Sequence, residues 1–223
     1  MTIEENNWLD DDYEDQYYDD DPRYNKFGYR IRMILEEYAN DDRYNDPAYR
    51  KKIWSEIWDR IEQLIVELYH ESIEDGISEL VAGLNTLGIM TDMSCEGHFS
   101  RAVYTQEQDG NKVRTMEWRS PWVSFEYPPD ELKLKKLQQF LDEFYKEREE
   151  EKECKIVMYK RGVAGTGHGI EIDGDSAKKL VVHDDDDKKK LFDEIKNKIE
   201  KQQQEIRAFT AFLRKKFIQT GFA

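Results

Sequence analysis

The chain has 223 residues, a net charge of −15 and an aromatic content of 13%, which together indicate a folded protein with an acidic surface. This charge argues against non-specific binding to DNA or acidic membranes, which requires a basic surface, and against direct nucleic-acid binding. The sequence has no run of 18 apolar residues, no basic leader and only two cysteines, so we expect a cytoplasmic protein without a membrane span or disulfide framework.

The first 26 residues form a compositionally distinct segment. Residues 1–22 carry ten acidic side chains and no Lys or Arg, and Trp and Tyr residues are interleaved with the acids. Because the segment has no helical or strand period, we predict a flexible acidic arm over residues 1–26. Two roles stay open for it: a solvated tail, or a surface that docks a basic protein partner or a basic groove of its own body.

Apolar residues at spacings of three and four predict helices over residues 27–88. The first covers residues 27–38, and after the Asp46-Pro47 break the clearest stripe comprises Ile53, Ile57, Ile61, Leu64 and Leu68. The pattern resumes over residues 77–87 and stops at Gly88, a residue suited to a left-handed helix C-cap.

Residues 89–183 combine strand patterns with one helix. The predicted strands cover residues 89–95, 102–106, 112–118, 121–127, 155–160, 169–172 and 180–183. Asp109-Gly110 is a hairpin turn signal, and Asp130 caps a helix whose apolar stripe ends at Phe144.

A long C-terminal helix is predicted from the aspartates at 184–187 to about Arg214–Lys216. Its narrow apolar stripe favours packing against the Ile53–Leu68 helix over self-association. We therefore predict an acidic arm (1–26) and one α+β domain (27–223) with a helical part (27–88), a sheet and helix (89–183) and a C-terminal helix (184–218). In this fold class, a mixed or mainly antiparallel sheet of about five strands is covered by the N- and C-terminal long helices.

The sequence Ser94-Cys95-Glu96-Gly97-His98 is the strongest candidate site, because it brings a thiol, a carboxylate and an imidazole together at a turn. A thiol beside an imidazole can act as a thiolate nucleophile, with Glu96 orienting His98. Alternatively, Cys95 is a small buried residue and His98 a loop imidazole. A third interpretation takes Cys95 and His98 as metal ligands, completed by His70, Cys154, His168, His183 or distant acids.

These residues also carry a resemblance. The stretches Gly88–Thr91, Ser94–His98 and Pro121–Val123 resemble a loose group of uncharacterised bacterial and phage proteins with a Ser-Cys-x-Gly-His turn followed by a Pro-aromatic-aliphatic strand. More remotely, the turn is similar to the Ser-Cys-Ser-Gly-Arg turn of the tRNA wybutosine-synthesising methyltransferase (third-enzyme) family. That family implies an α/β fold that uses S-adenosylmethionine.

Ser94, Cys95 and Gly97 match this family's turn, whereas His98 stands in place of its arginine and Glu96 in place of its second serine. The two differences remove a permanent cation and add an acid, which argues against a phosphate-rich substrate such as tRNA. The resemblance therefore implies the location of a site, without methyl transfer.

A glycine-rich segment from Arg161 to Gly169 is the second candidate. It is interpreted either as a hairpin loop or as an anion-binding loop with Arg161, Gly165 and Gly167 as ligand contacts and His168 as a catalytic partner of His98. Arginines at 101, 114 and 119 give the neighbouring hairpin a cationic edge that suits a phosphate or carboxylate, or charge pairing. If both loops form one site, His98 and His168 meet in one pocket.

The sequence supports two candidate functions that belong to different classes. The first is an intracellular small-molecule or nucleotide site, with Cys95, Glu96, His98 and His168 as catalytic residues and Ser94, Gly97 and Arg101 as ligand contacts. The second is a non-enzymatic acidic protein that binds a basic or nucleic-acid-binding partner through its arm and helices. The sequence identifies neither a cofactor nor a metal.

Overall fold

The structure is a computed structural model, and it describes residues 22–69, 73–99, 104–108, 111–125, 130–146, 148, 154–161, 167–172 and 178–221. The described α-helices are α1 (Pro22–Ala39), α2 (Pro47–Tyr69), α3 (Asp75–Thr86), α4 (Glu131–Tyr145) and α5 (Asp185–Thr220). The strands are β1 (Thr91–Cys95), β2 (His98–Phe99), β3 (Tyr104–Gln108), β4 (Asn111–Arg119), β5 (Trp122–Phe125), β6 (Ile156–Arg161), β7 (Gly167–Ile172) and β8 (Lys178–Val181).

The described strands form two antiparallel sheets. Sheet A has the order β1-β5-β7-β6. In sheet B, β2 and β3 pair with successive parts of β4, and β8 pairs with β4 as well. The apolar face of sheet A, including Val123, Ile170 and Ile172, packs into a main core with α1, α2, α3, α4 and the second half of α5. Sheet B shares a smaller core with the first half of α5, through residues such as Trp118 and Ile195.

A strand corner joins the two sheets. β1 and β2 are separated only by Glu96 and Gly97, and β4 and β5 only by Ser120 and Pro121. Since β1 pairs with β5 and β2 with β4, one antiparallel strand pair passes from sheet A into sheet B and bends at these four residues. Gly97 has a φ of +84°, and a Cβ there would lie 2.8 Å from the ring Cδ of Pro121, so only glycine fits the corner.

The connection from α3 to β1 explains why Gly88 ends a helix. Gly88 has a φ of +72°, its N–H donates to the Asn85 carbonyl, and the Ile89 N–H donates to the Leu84 carbonyl, which together form a Schellman motif. The fully buried Asn85 amide donates to the Thr91 hydroxyl at 2.8 Å and accepts from the Thr91 N–H at 3.2 Å. The start of β1 is thereby bound to the end of α3.

The long helix α5 ends against α2. Its first turn is capped by the Asp184 carboxylate, which accepts from the Asp187 N–H at 2.7 Å. At the other end, the buried Arg50 donates to the carbonyls of Ile218 and Gln219 at 2.7 and 2.9 Å. One guanidinium from α2 therefore satisfies carbonyls that the helix itself leaves open.

The α+β prediction is confirmed, with helices from both ends of the chain flanking antiparallel sheets. The strands divide between two sheets because the corner turns one strand pair, a feature that local patterns do not reveal. The intramolecular packing of α5 is also confirmed, since Phe209 is fully buried within the chain. The helix runs one turn beyond Lys216, where Arg50 supports it.

The acidic arm is predicted over residues 1–26, but residues 22–26 belong to α1, so that boundary is wrong, and residues 1–21 lie outside the described residues. The Asp109-Gly110 turn also lies outside them, although Gln108 pairs with Asn111 as a two-residue hairpin requires. None of the described helices combines the length and apolar content that a bilayer crossing demands.

Replacing Gly97 by Ala is expected to lower the free energy of unfolding by more than about 2 kcal/mol, because alanine pays for a left-handed conformation and also clashes with Pro121. Gly83→Ala is the matched control. A Cβ at Gly83 would meet its nearest neighbours at 3.6 Å, and a helical Gly→Ala change is worth up to about 1 kcal/mol of added stability. Urea unfolding of both variants tests the corner, and equal effects would contradict it.

Candidate functional site

The strand corner places Cys95 and His98 together. Cys95 pairs with Trp122 across β1 and β5, and Trp122 alternates with Val123, whose side chain lies in the main core. Because directly opposed residues share a face, Cys95 and Trp122 lie on the face of sheet A that points away from the helices. The Cys95 Sγ lies 3.3 Å from Nδ1 of His98, so the exposed imidazole lies against the thiol across the corner.

The environment of Cys95 favours a neutral thiol. The side chain is buried, and burial raises the pKa of the thiol above its ordinary value. The Gly97 N–H and the Arg119 charge oppose this rise, and the carboxylate of Glu74 adds to it. A nucleophilic cysteine requires a lowered pKa, so the geometry does not fit the predicted thiolate.

Glu96 lies on the opposite side of the corner. Its carboxylate accepts from the Gly76 N–H in the first turn of α3 at 2.7 Å, and its own N–H donates to the Glu74 carboxylate at 2.6 Å. Its carbonyl accepts from the side-chain amide of Gln203 on α5 at 3.1 Å. The prediction that Glu96 orients His98 is therefore wrong, because this residue fastens the corner to α3 and α5.

The register between β2 and β4 places the Arg119 guanidinium beside the His98 imidazole. Arg119 is directly opposite His98 on β4, and both side chains are exposed. Two opposed residues in an antiparallel pair have Cβ atoms about 5 Å apart on one face. Trp118, the next residue, faces the small core under α5. Arg114 belongs to that α5 side too, where it pairs with Asp185 at 3.1 Å. Of the three arginines predicted to form a cationic edge, at 101, 114 and 119, Arg119 is the one that the described residues place beside the corner.

Two residues that the sequence did not predict for the site, Trp122 and Glu171, lie on the same outer face of sheet A as Cys95. Trp122 is half-buried beside Cys95 and pairs with Glu171 on its other side, and Glu171 is only 7% exposed. The two residues therefore extend the outer face from the corner across sheet A. The signal that identifies them is the strand register, since their spacing in the sequence carries no motif.

His168 does not join the corner. Cys95, Trp122 and Glu171 lie level with one another, and His168 is three residues further along β7, about 10 Å away. His98 continues past Cys95 in the other direction. The predicted convergence of His98 and His168 is wrong, because the two residues lie toward opposite ends of the sheet.

The other predicted ligand contacts fall in different places. Arg161 and Gly167 pair with each other at the far end of β6 and β7. Ser94 pairs with the core residue Val123 and lies on the helix-facing side. Arg101, Gly165 and His70 lie outside the described residues. The described residues contain no group of three or more His, Cys, Asp or Glu side chains placed to hold a metal ion.

Known proteins show little similarity to this chain. No protein-family model and no curated protein matches the chain. One solved structure, titled "Structure of PH1069 protein from Pyrococcus horikoshii", is similar at a TM-score of 0.46 and 12% identity, over 73% of this chain and 96% of that chain. A likeness at this level supports no assignment of function.

The protonated Cys95 thiol has a measurable consequence for stability. As pH rises above about 8.5, cysteine in the unfolded chain loses its proton first, so the unfolded state is favoured until the folded-state pKa is passed. We expect the wild type to lose stability relative to Cys95→Ser between pH 7.5 and 10, with a slope of up to about 1.4 kcal/mol per pH unit.

Urea unfolding of the wild type and of Cys95→Ser at several pH values measures this difference. Cys154 is present in both proteins and cancels in the comparison. A wild type that gains stability with pH relative to Cys95→Ser would indicate a thiolate held by the fold.

Proposed function

We propose that this protein binds a small anionic ligand, a phosphate- or carboxylate-bearing molecule or a nucleotide, on the outer side of the strand corner. His98 and Arg119 are the donors in this proposal. The observation that carries it is the 3.3 Å contact between the Cys95 thiol and His98 Nδ1, next to a guanidinium directly across the strand pair.

The thiol gives His98 a defined role in this proposal. A protonated Cys95 donates its S–H to Nδ1, and a neutral imidazole then carries its proton on Nε2. The His98 side chain is exposed, so this nitrogen is the one that faces a ligand. Cys95 is a positioning residue here, and His98 is a hydrogen-bond donor that can also pass a proton to a bound group.

Arg119 supports anion recognition because a guanidinium presents several N–H groups in a plane that matches carboxylate and phosphate oxygens. The two nearby acids bond to the backbone and to neither donor of the proposed site. The carboxylates of Glu74 and Glu96 each accept a backbone N–H, at 2.6 and 2.7 Å. Trp122, half-buried on the same face, supplies an aromatic surface for an organic ligand.

The resemblance to the Ser-Cys-x-Gly-His group and to the wybutosine methyltransferases stays a prediction, and the proposal uses only the location of the turn. A cytoplasmic location also stays a proposal, supported by two buried cysteines that are not joined in a disulfide. The second candidate, an acidic interaction protein, depends on an arm that lies outside the described residues.

Substitution of the two donors is expected to weaken ligand binding at least about tenfold, since a hydrogen bond to a charged group is worth about 1.5–3 kcal/mol. The measurement is titration calorimetry with adenosine 5′-monophosphate and with inorganic phosphate, on the wild type, His98→Ala and Arg119→Gln. Cys95→Ser keeps a donor for Nδ1 and should retain affinity, whereas Cys95→Ala should lower it.

Arg114→Gln is the matched control, because it removes the same charge from the same strand on the α5 side. It should leave the affinity unchanged. The proposal is wrong if the wild type binds neither probe saturably, or if Arg114→Gln and Arg119→Gln weaken binding equally.

A further inference from the structure

The outer edge of β6, on the side away from β7, is unpaired among the residues that the structure describes. Among the described residues, β7 is the only strand that pairs with β6. The Ile156 N–H donates to the Tyr145 hydroxyl of α4 at 2.8 Å and so points away from β7. Backbone groups alternate in direction along a strand, so the N–H and C=O groups of Met158 and Lys160 point the same way. This edge therefore presents hydrogen-bonding groups over residues 158–160.

A groove lies between this edge and α4. Its volume is about 410 Å³, and its walls combine apolar side chains such as Leu141 and Met158 with the cations Lys146 and Lys155. The Lys155 amine lies 5.4 Å from the centre of the Tyr145 ring, against the wall of the groove. An extended chain laid along the edge would thus meet both apolar surface and positive charge.

One acid, Asp142, also lines the groove, and it accepts a hydrogen bond from the Gln138 amide at 2.9 Å. Lys160, which is exposed, adds a third cation at the edge. Among the described residues of the groove and its edge, three lysines therefore outnumber one acid, in a chain whose net charge is −15.

The charge pattern decides between two occupants. A second copy of this chain, paired edge to edge, would place two lysine-bearing edges side by side, and like charges across a strand pair are destabilising. Lysine on an edge strand is a common means of preventing this self-association. A segment with acidic side chains gains from the same lysines.

We propose that the outer edge of β6 receives an extended acidic segment of a partner protein as an added strand. Backbone hydrogen bonds to Met158 and Lys160 supply pairing, and Lys146 and Lys155 select for acidic side chains. The interaction is independent of the strand corner, which lies at the other edge strand of sheet A, at the end of β1.

The test uses the full chain and a blocked ten-residue peptide of alternating Glu and Val. We expect saturable binding by calorimetry, weakened at least tenfold in the double variant Lys146→Glu, Lys155→Glu. The double variant Lys51→Glu, Lys52→Glu makes the same charge change on α2 and should bind like the wild type.

Met158→Pro tests strand addition separately from charge. It removes one N–H from the open edge, where proline is tolerated because the N–H faces away from the sheet. We expect at least a tenfold weaker affinity. In wild type, hydrogen exchange of the Met158 and Lys160 amides should slow at least tenfold when the peptide is bound, while the Ile156 amide, already bonded to Tyr145, changes little.

Three results would overturn the proposal. The first is the absence of saturable binding. The second is binding that Met158→Pro leaves intact, which would indicate charge attraction without an added strand. The third is strong protection of the Met158 and Lys160 amides in the free chain, which would show that the edge is already covered.

Discussion

The contact between Gly97 and the ring of Pro121 is the constraint on which the arrangement of the molecule depends. It lets one strand pair bend from sheet A into sheet B, and any Cβ at Gly97 would force the two strands apart. The bend also places the residues around it on two different sides of the strand pair. Cys95 and His98 meet on the outer side, and Glu96 reaches the first turn of α3 on the inner side.

Helix α5 holds this bend from the inside. Its first half packs on sheet B and its second half enters the main core, so a single continuous helix spans both sheets. Gln202, fully buried, lies between the last residue of one core and the first of the other. The next residue, Gln203, donates to the Glu96 carbonyl, which fixes the corner to the middle of the helix.

Apart from the fold class and the packing of α5 within the chain, the features that the sequence predicted correctly are local ones. Gly88 as a helix end, Asp130 as a cap and the contact of Cys95 with His98 each depend on residues within a few positions of one another. The partnership of His98 with Arg119 and the separation of His168 depend on strand register, which links residues more than 20 positions apart. Local periodicity indicates which face of a sheet a residue takes, but it does not identify the residue that lies opposite on a distant strand, so these relations required the folded chain.

The packing of α5 against α2, where Arg50 bonds the last turn of α5, affects the order in which the main core forms. During synthesis, α1 to α3 leave the ribosome before α5, yet their apolar faces are completed by Phe209, Leu213 and Phe217 of α5. Contacts of such long sequence separation form slowly. The main core therefore closes only after α5 has been synthesised, and until then the nascent chain exposes the isoleucine stripe of α2 to chaperones.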